Sequence, residues 1–114
     1  DSTLAYQWGG RGIPRQTIEA AQRLATGGIE PDLRVLLDVP VDVAIARRHA
    51  EVDSVDRFDA EQTAFHQAVR ATYLGLAAAS PEDWLVIDAG SSPAEVLDTT
   101  YRMLTDWLQV FFAR

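Results

Sequence analysis

The sequence of 114 residues lacks cysteine and lysine altogether. The absence of cysteine excludes disulfides and thiolate metal ligands. No apolar run approaches the roughly 20 residues that a membrane-spanning helix requires, and no basic segment followed by an apolar one resembles a signal peptide. We therefore expect a cytoplasmic protein with no membrane partner. Hydrophobic residues make up 47% of the chain, which suffices for a packed core.

Charge excludes a further class of partner. The net charge is −7, whereas a nucleic-acid surface needs a basic patch, so we expect no nucleic-acid partner. All ten basic residues are arginine, and arginine matches phosphate groups bidentately. This bias suits a local arginine cluster that recognises phosphate. The simpler alternative is a GC-rich genome and a solvated surface.

Periodicity, proline and glycine divide the chain into helices and strands. Ser2 or Thr3 is a candidate cap for a short helix that ends near the glycines at 9, 10 and 12. The pattern then predicts helices over 14–26, from 40 to about 49, over 60–79 and over 93–112, strands over 33–39 and 84–89, and a loop over 50–58. The first strand is apolar enough to be buried on both faces.

The last helix has the clearest start signal in the sequence. Ser92, Pro93 and Glu95 form a capping box with proline at the first helical position. Apolar residues then recur at helical spacing, and we expect the stripe that they form to be buried: Leu97, Tyr101, Leu104, Leu108 and Phe111.

Strands that alternate with helices predict a parallel α/β sheet joined by helical crossovers. Two strands cannot make such a sheet with both faces covered, so we expect further strands to come from elsewhere. The sequence also begins at Asp1 without an initiator methionine or a preceding strand. We expect it to be a truncated piece of a longer protein.

The carboxyl ends of the two strands are the expected place for a ligand, because open parallel sheets bind ligands there. Asp38 and Asp88 lie at these ends, and the alternative role for each is helix capping or loop ordering. Arginines flank the loop that follows the second helix, and such a loop is typical of a lid over phosphates. The alternative is a solvated loop whose acidic residues neutralise it. The basic lid residues are Arg47, Arg48, His49 and Arg57.

Other familiar sites are not predicted. The glycines at 9, 10 and 12 follow a helix rather than a strand, no G-K-S/T comes after them, and a chain without lysine cannot supply a phosphate-loop lysine. His49 and His66 show no metal-ligand spacing, so we expect both at the surface and no metal site in this chain.

Five segments together resemble bacterial thymidylate kinases. Residues 1–12, D-S-T-L-A-Y-Q-W-G-G-R-G, are similar to the family segment that follows D-R-Y, and residues 31–39 match P-D-L-x-x-x-L-D-V. Residues 47–59 are similar to an arginine-rich lid that ends in D-R-[FI]-E. Residues 65–77 match F-x-x-x-V-R-x-x-Y-L-x-L-A, and residues 87–96 match I-D-A followed by S-P-x-E-V. The resemblance covers the whole chain in the right order.

The resemblance implies a P-loop NTPase-like parallel sheet with flanking helices, of which this chain holds only the last two strands. Residues 1–114 would be the C-terminal part of a single nucleoside-monophosphate kinase domain, with a lid loop at about 47–59. The implied activity is the ATP-dependent phosphorylation of dTMP to dTDP in dTTP biosynthesis. ATP and Mg²⁺ would be held mainly by residues absent from this chain, so the chain alone is expected to be inactive. By analogy with the family, the protein would be a homodimer.

Residue roles follow from the same resemblance. The segment at the start of the chain would line the dTMP site through Ser2, Thr3, Tyr6 and Gln7. Arg47 would lie on the adenine of ATP, and the loop of Ala89, Gly90 and Ser91 would border the adenine on its other side. Arg48 is the candidate catalytic arginine.

The lid departs from the family pattern at three positions. Relatives with a catalytic lid carry arginines where this chain has His49 and Glu51, and Asp59 replaces the usual glutamate. Either Arg48 or a segment outside this sequence would then supply the catalytic charge. The alternatives to an active kinase are a non-catalytic nucleotide-binding remnant of the same fold and a scaffold module without a nucleotide site.

Overall fold

The computed structural model describes residues 1–51 and 60–114. A π-helix opens the chain, and the elements that follow are α1, β1, α2, α3, a 3₁₀ turn, β2 and α4. Their bounds, in this order, are Leu4–Gly10, Arg15–Thr26, Arg34–Asp38, Val41–Glu51, Ala60–Ala79, Pro81–Asp83, Trp84–Asp88 and Pro93–Phe112. The predicted helices and strands are thereby confirmed to within a few residues.

Local signals explain where two of the helices begin and end. Pro14 precedes α1, and Gly27 ends it in the left-handed region at φ 65°, where glycine has no Cβ to clash. Ser92 caps α4, because its Oγ accepts a hydrogen bond from the Glu95 backbone N–H at 3.3 Å. Pro93 occupies the first turn, where no intrahelical N–H bond is needed.

The two strands pair in parallel, from Arg34 opposite Trp84 to Asp38 opposite Asp88. The prediction that the first strand is buried on both faces is wrong for β1, because the side chains of Val35 and Leu37 are 43% and 54% exposed. The physical reason is that α4 makes its main contacts with the sheet at β2, which leaves these side chains of β1 less covered. The sheet is covered most completely at Ile87, which is fully buried.

The short helix at the start of the chain is present, but it is a π-helix and Thr3 does not cap it through its side chain. Its closest partner is α3. Gly9 and Gly10 lie against the side chains of Thr72 and Phe65, and a Cβ added at either glycine would collide with them. These glycines therefore allow close packing between two helices.

The buried stripe predicted for α4 is found only in part. Leu104 and Phe111 are half-buried, and Trp107 stacks on Phe111 with ring centroids 4.7 Å apart. The remaining stripe positions are exposed, with Leu97 and Tyr101 at 71% and 72%. Amphipathic spacing identifies a face that is able to be buried, whereas its burial depends on a partner. Among the described elements, α4 packs mainly on β2.

The predicted lid begins inside a helix. Because α2 continues to Glu51, Arg47, Arg48 and His49 all lie on its last turns rather than in a loop. The rest of the predicted lid, residues 52–59 with Arg57 and Asp59, lies outside the described residues. No described helix is long and apolar enough to cross a membrane.

We predict that Gly9→Ala destabilises the protein by about 1–3 kcal/mol, because the new methyl group would overlap Thr72 Oγ1 in a packed interface. Urea denaturation followed by circular dichroism measures the change. Gly75→Ala is the matched control, since Gly75 lies in α3 with open space around its missing Cβ. Alanine there should stabilise the helix by about 0.5–1 kcal/mol. Equal effects at the two glycines would contradict the close packing of the π-helix on α3.

Candidate functional site

The carboxyl ends of β1 and β2 lie side by side at one edge of the sheet, with Asp38 opposite Asp88. The backbone N–H of Ala89 donates to the carbonyl oxygen of Asp38 at 2.7 Å, which extends the pairing beyond the strands. Asp88 orders the loop that follows it, because its Oδ1 accepts the Gly90 N–H at 2.8 Å. This is the loop-ordering role that the sequence left open for Asp88.

Asp38 is engaged by Arg70 of α3 through two hydrogen bonds. Arg70 Nε donates to Oδ1 at 2.8 Å, and one of its terminal nitrogens donates to Oδ2 at 3.0 Å. These bonds lower the pKa of Asp38, although partial burial opposes the shift, and the same bonds raise the pKa of Arg70. Both oxygens of Asp38 are thus committed to a side chain 32 residues away.

Arg47 is held by the loop that follows β2. Its two terminal nitrogens donate to the backbone carbonyl oxygens of Ala89 at 2.7 Å and Ser91 at 3.1 Å. Two fixed acceptors orient a guanidinium plane far better than one. The structure therefore brings together Arg47 and the loop residues that were predicted to share a site with it.

A cavity of about 230 Å³ lies beside this edge, between α2, α3 and the π-helix. Its polar lining combines aromatic hydroxyls, guanidinium groups, an imidazole and a carboxylate. These groups belong to Tyr6, Tyr73, Arg48, Arg70, His66 and Asp38. The flat rings, together with the positive charge of Arg48 beside the Arg70–Asp38 pair, suit an anion that carries a ring.

The predicted dTMP-site residues are close together but differ in exposure. Tyr6 lines the cavity and is 39% exposed, Gln7 is half-buried, and Ser2 and Thr3 are exposed. The hydroxyl of Tyr73 donates to Ser2 Oγ at 2.7 Å, which joins this segment to α3.

The sequence predicted no site role for three side chains that line the cavity. Arg70 and Tyr73 were assigned no site role, although both stand in the V-R-x-x-Y motif of α3. Their partners are 32 and 71 residues away, so no local pattern identifies the contacts. His66 was expected at the surface, yet it is half-buried and lines the cavity, whereas His49 is exposed as expected.

The described residues contain no dedicated metal-binding cluster. Among residues 1–51 and 60–114, no group of three or more histidine or acidic side chains is arranged to hold a metal ion. Arg70 engages both oxygens of Asp38, and Gly90 engages one oxygen of Asp88. Arg70 therefore occupies both oxygens of Asp38, which disfavours this carboxylate as a Mg²⁺ ligand.

These features define a parallel α/β protein with a cavity beside the carboxyl edge of its sheet, which is where open parallel sheets bind ligands. The family model for thymidylate kinase matches residues 1–99, and the chain belongs to the thymidylate kinase family. Members of this family have a P-loop NTPase-like fold, and the two-stranded parallel sheet with its helices is consistent with a part of it. The resemblance recognised in the sequence is confirmed.

Relatives at nearly half identity support the assignment. Thymidylate kinase of Thermomicrobium roseum is 45% identical over 106 residues, which are 93% of this chain and 50% of that protein. The Trichlorobacter lovleyi thymidylate kinase is 48% identical over 101 residues, or 84% of this chain and 48% of the relative. The Neisseria gonorrhoeae thymidylate kinase is 45% identical over 104 residues, which are 91% of this chain and 50% of that protein. The chain spans about half the length of the curated relatives that it matches.

We predict that Asp38→Asn destabilises the protein more at pH 7 than at pH 3. The pKa of Asp38 is lower in the folded state than in the unfolded chain, so its charge contributes stability above the unfolded value of about 3.9. This contribution is lost as the pH falls through the folded pKa. Urea denaturation of the wild type and of Asp38→Asn at both pH values measures this contribution.

Asp98→Asn is the control for this experiment, because Asp98 is an exposed aspartate of α4. Its substitution should leave the free energy of unfolding at both pH values within about 0.5 kcal/mol of the wild type. A loss at Asp38→Asn that is the same at pH 7 and pH 3 would contradict a charge-dependent role for the pair with Arg70.

Proposed function

We propose that this sequence is the C-terminal part of a nucleoside-monophosphate kinase domain that transfers a phosphoryl group from ATP to dTMP. The observation that carries the proposal is the position of Arg47, which the loop of Ala89 and Ser91 holds at the carboxyl edge of the sheet. In a chain of the thymidylate kinase family, this arrangement supports an adenine site at that edge.

The hydrogen bonds of Arg47 favour a base over a phosphate. Both terminal nitrogens already donate to backbone carbonyls, so fewer donors remain to neutralise an anion. The flat face of the guanidinium is not used by these bonds, and such a face stacks on an aromatic ring. Arg47 is accordingly a platform for adenine, and the loop 89–91, which holds the edge of the guanidinium, borders the same site.

The start of the chain supplies the proposed dTMP site. Ser2, Thr3 and Gln7 contact the thymine edge, and Tyr6 lies near the base or the sugar. The amide of Gln7 both donates and accepts, which complements the alternating carbonyl and imide groups of thymine. Tyr6 reaches the cavity from this segment, so the monophosphate would lie between the π-helix and α3.

Phosphoryl transfer needs positioning and charge neutralisation more than it needs a side-chain base. Arg48 lines the cavity and is the described lid residue that we propose to contact the transferred phosphate. Because His49 stands where relatives with a catalytic lid carry arginine, the proposed lid is only weakly basic. Arg57 belongs to the same proposed lid. ATP phosphates and Mg²⁺ are proposed to bind residues outside this sequence.

A coupled assay of ADP release tests the proposed activity. The full-length protein should turn over dTMP with ATP, whereas the 114-residue chain alone should not, because it contains no phosphate-loop lysine. Positioning of this kind contributes roughly 7–11 kcal/mol to catalysis. Turnover by the isolated chain would contradict the proposal. Binding of both ligands by the full-length protein without turnover would favour the non-catalytic remnant instead.

We predict that Arg47→Lys in the full-length protein raises the Michaelis constant for ATP about five- to tenfold, because lysine lacks the planar face for stacking. Since stacking is equal in the ground and transition states, kcat and the Michaelis constant for dTMP should change little. Arg102→Lys is the control, because Arg102 is an exposed arginine of α4. An Arg47→Lys enzyme with normal ATP dependence and reduced kcat would place Arg47 at the phosphates rather than at adenine.

A further inference from the structure

Tyr73 makes a long-range contact with the start of the chain. Its hydroxyl donates to Ser2 Oγ at 2.7 Å, across 71 residues of sequence. The phenol ring is half-buried and also lines the cavity that Tyr6 enters. The contact therefore joins α3 to the segment for which we propose base recognition.

Contacts other than the Tyr73 hydroxyl also hold the backbone of this segment. The π-helix is fixed on α3 by the close approach of Gly9 to Thr72 and by the tilted ring contact of Tyr6 with Phe65, whose centroids are 5.9 Å apart. Leu4 and Ala5 are buried directly after Ser2. What the hydroxyl adds is a fixed direction for the side chain of Ser2.

A serine hydroxyl rotates to suit its surroundings and both donates and accepts. When Ser2 Oγ accepts the hydrogen of Tyr73, its own hydrogen must point to another acceptor. Ser2 is exposed, so its hydroxyl is accessible to a ligand. A carbonyl oxygen on a pyrimidine ring is an acceptor of the right kind.

We propose that Tyr73 is a positioning residue for a pyrimidine nucleoside monophosphate. Its hydroxyl fixes Ser2 as a hydrogen-bond donor to the base and makes no bond to the base itself. This inference rests on the proposed function, because it names how the base site of that enzyme is oriented.

Calorimetric titration of the full-length protein with dTMP and with ATP, in separate experiments, tests the inference. Tyr73→Phe keeps the ring that lines the cavity and removes only the hydroxyl. It should raise the Kd for dTMP about three- to tenfold, the usual effect of one hydrogen bond. The Kd for ATP should stay unchanged, whereas a general structural defect would weaken both ligands. Tyr101→Phe is the matched control, because Tyr101 is 72% exposed on α4, and it should change neither constant.

A double-mutant cycle with Ser2→Ala separates positioning from direct contact. If Tyr73 acts through Ser2, adding Tyr73→Phe to Ser2→Ala should weaken dTMP binding no further. Additive losses would overturn the inference, and so would an unchanged dTMP Kd in Tyr73→Phe. Wild-type protein that binds dTMP without phosphorylating it would refute the proposed kinase activity while the cycle still decides the role of Tyr73. Wild-type protein that binds no dTMP would overturn both.

Discussion

The parallel pairing of β1 with β2 is the contact on which the candidate site depends. Because Asp38 lies opposite Asp88, the segments that leave the two strands begin at the same edge of the sheet. Arg47 of α2 is then close enough to donate to Ala89 and Ser91, more than 40 residues later in the chain. A shift of this register would move the loop along the sheet and away from the guanidinium.

Helix α3 links this edge to the start of the chain. Arg70 and Tyr73 are three residues apart, a spacing that places two side chains on the same side of a helix. One binds Asp38 at the end of β1, and the other binds Ser2 beside the π-helix. The helix therefore sets the distance between the proposed adenine site and the proposed thymine site, with the cavity between them.

The helices and strands were predicted well from the sequence, because helix caps and helix-ending residues act over only a few positions. Gly27 ends α1 because it has no Cβ to clash in the left-handed region, and Ser92 begins α4 because its hydroxyl caps the helix. The site was predicted less completely. The contacts of Arg70 and Tyr73 depend on tertiary packing that no short pattern encodes, and the exposure of Leu97 depends on what α4 packs against rather than on helical spacing. Arg47 and residues 89–91 were predicted to share a site only through the resemblance to a family.

The central claim is that two nucleotides meet across this sheet edge, one on Arg47 and one on the segment that contains Gln7. A crystal structure of the full-length protein with dTMP and a non-hydrolysable ATP analogue tests it most directly. The account predicts adenine stacked on the Arg47 guanidinium and the thymine edge within hydrogen-bond distance of Gln7. Adenine bound elsewhere, with Arg47 still facing only the carbonyls of Ala89 and Ser91, would contradict it.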